Sequence, residues 1–422
     1  MTLKNLVSIG GLSACLSLFA LPSFASDTVT GTGSAIEINW GSGFSGALGT
    51  TRKTAVMAAA QVWADKITSS VTITVDMDFG SLSCNSSSAV LGSAGPYFYA
   101  NFSGAPESNT WYPAPLASMY KGSDVDTNTS DISASFNGDI DNNNNCLNNT
   151  NWYYGTDGNA PANTIDFYEV ILHELGHGLG FTSLVDSSGN MPSGLNDHYI
   201  VHLYDTNNSD TWDNLSAAQR ATNMTSNGSL VWNGAEVTTA SSGLSAGTTG
   251  GKVRMYDPSP YESGSSVAHF NTALTPNELM EPSYTGDATY DLTLALFDDI
   301  GWTIVADNSA PVIDSQNAIS FDEDNSRTIV AADLNVTDSD DTWPGDHTLT
   351  VQSGSNYSLS GNQITPDAHW NGTLTVPVVV NDGTTDSNTF NLSVTVNAVN
   401  DQPVIDSQNS VNTNEDVAVT LT

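Results

Sequence analysis

"VILHELGHGLGFTSLVD" (residues 170–186) decides how this chain is read. Read as part of a helix over 166–179, the segment places His173 and His177 one turn apart, roughly 6 Å along the axis, on one face. Tyr168, Leu172, Leu175 and Leu179 fall on the other side as an apolar stripe. One face is therefore expected to pack into a core, and the other to present two imidazoles. Gly176 and Gly178 each weaken a helix by about 1 kcal/mol relative to Ala, a cost that close packing around a site would explain. Glu174 is one step from His173 and cannot share its ligand position. It is placed to take a proton from a water on a metal held by the two histidines, passing it on to the leaving group.

Two imidazoles leave a catalytic zinc one protein ligand short. Ser183, just past the helix, is a poor ligand. The other histidines are His198, His202, His269, His347 and His369. The last two fall late in the chain and read as surface residues. His198 and His202 are four apart but stand among strand-like residues, in "DHYIVHLYD". Asp186 and Asp205 are carboxylate alternatives. His269 stands in "GSSVAHFNTALTPNELMEPSYTG", shortly before Met280.

His-Glu-x-x-His-x-x-Gly, a distant His and a following Met turn together resemble the metzincin peptidases of the leishmanolysin type. The resemblance covers about 130–304. It implies a zincin-like α+β catalytic domain, with His173, His177 and His269 as zinc ligands and Glu174 as general base. It further implies that Gly180 turns the chain off the helix and that Met280 lies beneath the metal. "DISASFN" (131–137) is similar to the edge strand that such enzymes pair with an extended peptide. Residues 26–35 are too short for a propeptide. The many disulfides of leishmanolysin are absent, and Ser183 excludes the compact form with a nearby third ligand.

The rest of the chain supplies the setting. The 422 residues suffice for two or three domains. With 9 Lys+Arg against 46 Asp+Glu, the formal net charge is −37, which disfavours nucleic acid and anionic membrane surfaces as partners. Residues 1–25 read as a secretory signal peptide: an early Lys4, an apolar stretch and the small-x-small site Ser23-Phe24-Ala25. "LSAC" offers a rival reading with Cys15 lipidated. The apolar residues after Cys15 argue for the signal peptide. No later apolar run could span a bilayer. An exported chain left with Cys84 and Cys146 is expected to pair them, two buried thiols being the alternative. Helical spacing marks 54–67 and 291–304, and alternation marks a strand over 71–79. Residues 182–268 show few clear elements.

After residue 304 short alternating strands between Gly/Asp/Asn turns predict an all-β sandwich over 305–400. "PVIDSQN" begins at Pro311 and recurs at Pro403, so 401–422 reads as the start of a second, truncated repeat. These segments resemble the cadherin-like repeats of bacterial surface proteins. The candidate Ca2+ carboxylates are Asp322, Asp324, Asp338, Asp340, Asp382 and Asp401. The expectation is thus a secreted zinc endopeptidase acting on protein or peptide, with repeats that bind a surface, polymer or other extracellular partner. The rival readings are an inactive adhesin on a zincin-like domain and a zinc hydrolase of a non-peptide bond.

Overall fold

A computed structural model of the chain describes residues 26–142, 145–286 and 289–420, together with Leu6–Val7. Cys15 and the Ser23-Phe24-Ala25 site lie outside these residues. The chain divides into two compact units, Met1–Val305 and Ala306–Thr422. The first is mixed α+β and the second is β-rich. Among the described residues no helix is long and apolar enough to cross a membrane.

The first unit is organised by a five-stranded sheet. Its strands are β1 (Ser26–Thr30), β2 (Ala35–Trp40), β3 (Ile73–Gly80), β4 (Gly92–Pro96) and β5 (Ile132–Asn137), in the order β1-β2-β3-β5-β4. The β2–β3 and β3–β5 pairs are parallel; β1 and β4 close the two edges antiparallel. Helix α1 (Gly49–Lys66) makes the crossover from β2 to β3. The alternation read at Ile73, Val75, Met77 and Phe79 buries that face of β3, as expected of a half-buried strand. Residues 132–137 of that segment do form a strand, but it is not the edge. β5 lies inside the sheet, and the edge is β4, "GSAGP". Gly and Pro carry no strand signal, and it is pairing with β5 that makes this segment a strand, from Gly92↔Phe136 to Pro96↔Ile132.

Helix α2 (Phe167–Leu179) packs against α1 and against the sheet. Asp166 caps its start, accepting from Tyr168 N at 2.9 Å. Gly180 ends it at φ +124°, a conformation that strains any side chain. The apolar residues of α2 are buried nearly all round, so the helix is a central element, with Tyr168, Glu169 and His173 half-buried. The alanine-rich face of α1 (Ala55, Ala59, Ala60) allows close approach, and Trp63 Nε1 donates to Leu172 O at 3.2 Å. Trp302 Nε1 donates to Leu179 O at 2.9 Å, satisfying a carbonyl at the helix end. Trp302 follows helix α3 (Asp291–Asp299).

Residues 182–268 are more ordered than their composition suggests. A small antiparallel sheet (Leu203–Asp205, Asp210–Thr211, Leu230–Trp232) and helices Ala217–Asn223 and Ala235–Ala240 gather around buried Tyr199, Trp212 and Trp232. A few large aromatics here replace the periodic apolar pattern that marks longer elements.

Cys84 and Cys146 form a disulfide with Cα atoms 5.3 Å apart. It joins the loop before β4 to the loop after β5.

In the second unit a four-stranded sheet (Ile319–Asp322, Phe390–Asn397, Gly372–Asn381, Thr348–Val351) and a three-stranded one (Arg327–Thr328, Gln363–Pro366, Tyr357–Ser360) share one core. The two copies of "PVIDSQN" differ in setting. Ile313 is 3% exposed and belongs to the core, whereas its counterpart Ile405 is 89% exposed.

Two outcomes follow from these contacts. The Cys84–Cys146 link spans 62 residues, and in the chain-entropy account a loop of that size contributes about 4 kcal/mol. The Cys84→Ser/Cys146→Ser double variant should therefore unfold at distinctly lower denaturant than wild type, and an unchanged midpoint would refute the link. Asp131, at the start of β5, accepts from Thr74 N and Oγ1, and burial pushes its carboxyl up to about 6. The folded chain then keeps a proton that the unfolded chain releases near pH 4, so this residue makes stability fall as pH rises from about 4 to about 6. In paired denaturation curves, wild type should lose stability relative to Asp131→Asn across that window, and a constant difference would contradict the assignment.

Candidate metal centre

One helix and one bridged stretch bring three histidines together. His173 and His177 project from α2, and His269 arrives on the strand-like stretch where Met255 and Phe270 bridge. Their Nε2 atoms form a nearly equilateral triangle: 3.1 Å for His173–His177, 3.1 Å for His177–His269 and 3.2 Å for His173–His269. These three form one of the groups of side chains able to hold a metal ion.

The Nδ1 atoms explain the arrangement. His173 Nδ1 lies 2.7 Å from Leu279 O, His177 Nδ1 2.8 Å from Phe181 O, and His269 Nδ1 2.8 Å from Ser265 O. A carbonyl only accepts, so each Nδ1 carries the proton and each Nε2 presents a lone pair. Three lone pairs aimed at one point repel unless a cation sits between them. Protonation is not a remedy. Burial pushes His173 down to about 4, and burial, helped by His173, pushes His177 down to about 3. His269 is also lowered, first by burial and then by the other two rings. The three rings are therefore neutral and together could hold a metal ion.

Glu174 is buried beside the triad. Burial raises its carboxyl to about 8, opposed by an N–H donated from Ala94 of β4. Gly92 of the same strand leaves the room it needs. A Cβ there would lie 2.8 Å from Glu174 Cγ and 2.9 Å from Oε1. The edge strand thus positions the carboxylate. A cleft of about 860 Å3 holds the triad and Glu174; Leu91–Ala94, Val170, Ser265, Leu279 and Tyr284 are among its walls.

Met280 is fully buried against α2, and a Cβ at Gly176 would come within 2.8 Å of its Sδ. This explains Gly176. Gly178 has a similar reason, since a Cβ there would meet Ile132 Cγ2 at 2.5 Å.

The rival ligands lie elsewhere. His198 is buried and its Nε2 donates to Gly180 O at 3.0 Å. His202 stacks on Trp232. Asp186 and Asp205 accept from the backbone of their own turns. Ser183 donates to Asp197 Oδ2 at 2.8 Å. Residue reasoning missed β4, the three carbonyls behind the imidazoles, and Asp197. The first lacked strand propensity, and backbone carbonyls leave no trace in side-chain identity.

In the second unit, Asp338 and Asp340 come together with Asp341, and Asp324 and Asp401 with His369. Asp322 accepts from Asn397 Nδ2, and Asp382 is occupied by Asn308, Thr384 and Thr385. His347 is not the surface residue expected of its position. Its side chain is enclosed, and Nε2 pairs with Asp338 at 3.0 Å, because Trp343 packs its ring against it. Comparison of the chain with protein-family models, curated proteins and solved structures gave no match.

In an exposed helix, Gly→Ala gains up to about 1 kcal/mol. At Gly178 the clash with the stiff, β-branched Ile132 should outweigh that gain, and Gly178→Ala should lose about 1–3 kcal/mol in chemical denaturation. A stabilised variant would contradict the packing described.

Proposed function

We propose that this chain is an exported zinc endopeptidase resembling the metzincins of the leishmanolysin type, carrying a β-rich extension. The observation that carries the reading is the convergence of three neutral imidazoles beside a buried glutamate at an open sheet edge. Tetrahedral zinc with Zn–N bonds of about 2.0–2.1 Å holds its nitrogens about 3.3 Å apart, close to the 3.1–3.2 Å here. Neutral imidazoles whose other nitrogen is hydrogen-bonded are the usual form of such ligands.

Bound there, zinc would supply Lewis acidity, polarising a peptide carbonyl and bringing a water's pKa towards 7. The chain's own residues account for the rest. Glu174 takes the water's proton at its carboxylate and delivers it to the departing amine. Beside a bound dication the Glu174 carboxyl would titrate below the raised value it has here, so that it would start as a base. β4 is one of the sheet's two edge strands among the described residues, and it is the one that lines this cleft. An extended peptide can add to such an edge through main-chain hydrogen bonds, which favours a peptide over a non-peptide substrate. The disulfide agrees with an oxidising compartment, and thus with export. In the second unit we propose Asp338 and Asp340, with Asp341, as an all-carboxylate group for Ca2+.

The test is cleavage of casein or a peptide library by the chain from residue 26 onward. Chelation should abolish cleavage and added zinc should restore it. Glu174→Gln should keep the metal and lose 10²–10⁴-fold in rate, on the order expected for a general base. Gly92→Ala should also retain zinc and lose rate, because its Cβ displaces the Glu174 carboxylate. His269→Ala should lose both metal and activity, whereas His202→Ala should keep both. A fully active Glu174→Gln, or activity indifferent to chelation, would overturn the proposal.

A further inference from the structure

We infer that Asp197 and Glu278 are positioning residues of the metal centre, each fixing a backbone carbonyl that orients one ligand imidazole. This rests on the reading of the triad as metal ligands. In many metal sites a carboxylate bonds the ligand histidine directly. Here backbone carbonyls do so, and a carbonyl on a loop orients a ring only as firmly as the loop is held. The question is what holds Phe181 O and Leu279 O in place.

Phe181 follows the glycine that ends α2. Its carbonyl is restrained on both sides. Upstream, His198 Nε2 donates to Gly180 O at 3.0 Å and Phe181 N donates to Gly176 O at 3.1 Å. Downstream, Asp197 Oδ2 accepts from Ser183 Oγ at 2.8 Å and Leu184 N at 2.6 Å. The other oxygen of Asp197 accepts from Tyr199 N at 3.1 Å and Ile200 N at 2.8 Å. Asp197 is 0% exposed, so one buried carboxylate ties the chain leaving the metal helix to the segment that contains His198.

Glu278 plays the same part for His173. Also buried, it accepts from Leu279 N at 2.8 Å through Oε2, and from Leu292 N and Thr293 N through Oε1. It thus fastens the residue whose carbonyl receives His173 Nδ1–H to the first turn of α3. A further anchor to that stretch is Leu279 N to Thr289 O at 2.7 Å.

The third imidazole is supported differently. Ser265 O, the partner of His269, lies in a local turn in which Ser265 N and Ser266 N both reach Glu262 O, and Ser266 Oγ accepts from Glu262 N. The exposed Glu262 carboxylate accepts from Tyr256 Oη at 3.0 Å, away from the turn's own backbone bonds, and it does not hold the turn. This contrast supplies an internal control.

Asparagine and glutamine keep the shape of the two buried acids but place an amide N–H against backbone N–H groups. At Asp197 either orientation does this, since both oxygens accept backbone donors. The same is true at Glu278. The loops must then shift, and the imidazoles lose their fixed direction.

The experiment measures zinc affinity of the metal-stripped chain by competition with a chromophoric chelator, alongside the visible spectrum of the Co2+-substituted protein. Asp197→Asn and Glu278→Gln should each bind zinc about 10–100-fold more weakly and shift the Co2+ bands. Glu262→Gln should match wild type in both. Ser183→Ala removes one of Asp197's four bonds and should weaken binding severalfold, and it carries the test if the acid variants fail to fold. A lower melting temperature of the metal-free variants with unchanged zinc affinity and Co2+ spectrum would make the two acids merely structural and overturn the assignment. Wild type that binds no zinc would remove the metal reading and this assignment together; tight wild-type binding with unaffected variants sinks the assignment alone.

Discussion

The first unit is built around a repulsion. Three imidazole lone pairs point at one another across 3.1–3.2 Å, in a setting where burial disfavours the proton that would separate them. Such an arrangement needs a backbone that enforces it, and a cation could relieve it. Other features of the unit are readable as enforcement. The tautomers are fixed by three carbonyls. The helix ends are fixed by Asp166, Gly180 and Trp302, and the glycines of the helix yield to Met280 and Ile132. The price is a helix that sits near the limit of its own propensity and relies on packing for stability.

The same packing supplies the second half of the chemistry. α2 lies against the edge strand β4, so the glutamate one residue from a ligand meets the strand that an extended peptide would join. Two of the three imidazoles, Glu174 and the candidate peptide track are thus set by one helix–strand contact. A change at Gly92 is expected to reach the base without touching a ligand.

How much of this was legible in the sequence depends on which group does the work. His173, Glu174 and His177 declare themselves because helical spacing forces them onto one turn. His269 could be chosen over His198 and His202 only through a resemblance, since no periodicity links it to the helix; the structure brings it to the triad. The edge strand was misplaced by one position in the sheet. "DISASFN" alternates and "GSAGP" does not, but strand order follows pairing rather than propensity. Ser183 looked like a missing ligand, and its hydroxyl instead serves the buried Asp197. The carbonyls that orient the rings were invisible, because a peptide carbonyl is the same at every residue. In the second unit the β-rich character was legible from alternation, though short strands such as Arg327–Thr328 and Gln363–Pro366 were not. The enclosure of His347 was not, because it depends on Trp343 and Asp338 closing over it.

The proposal that these three histidines hold one zinc ion can be read from X-ray absorption at the zinc edge of the loaded chain. The expected spectrum has one zinc per chain with three imidazole nitrogens and one further light-atom ligand at about 2.0–2.1 Å, falling to two imidazoles in His269→Ala. A spectrum of the wild-type chain fitted by two imidazoles or fewer, or one unchanged by loss of His269, would contradict it.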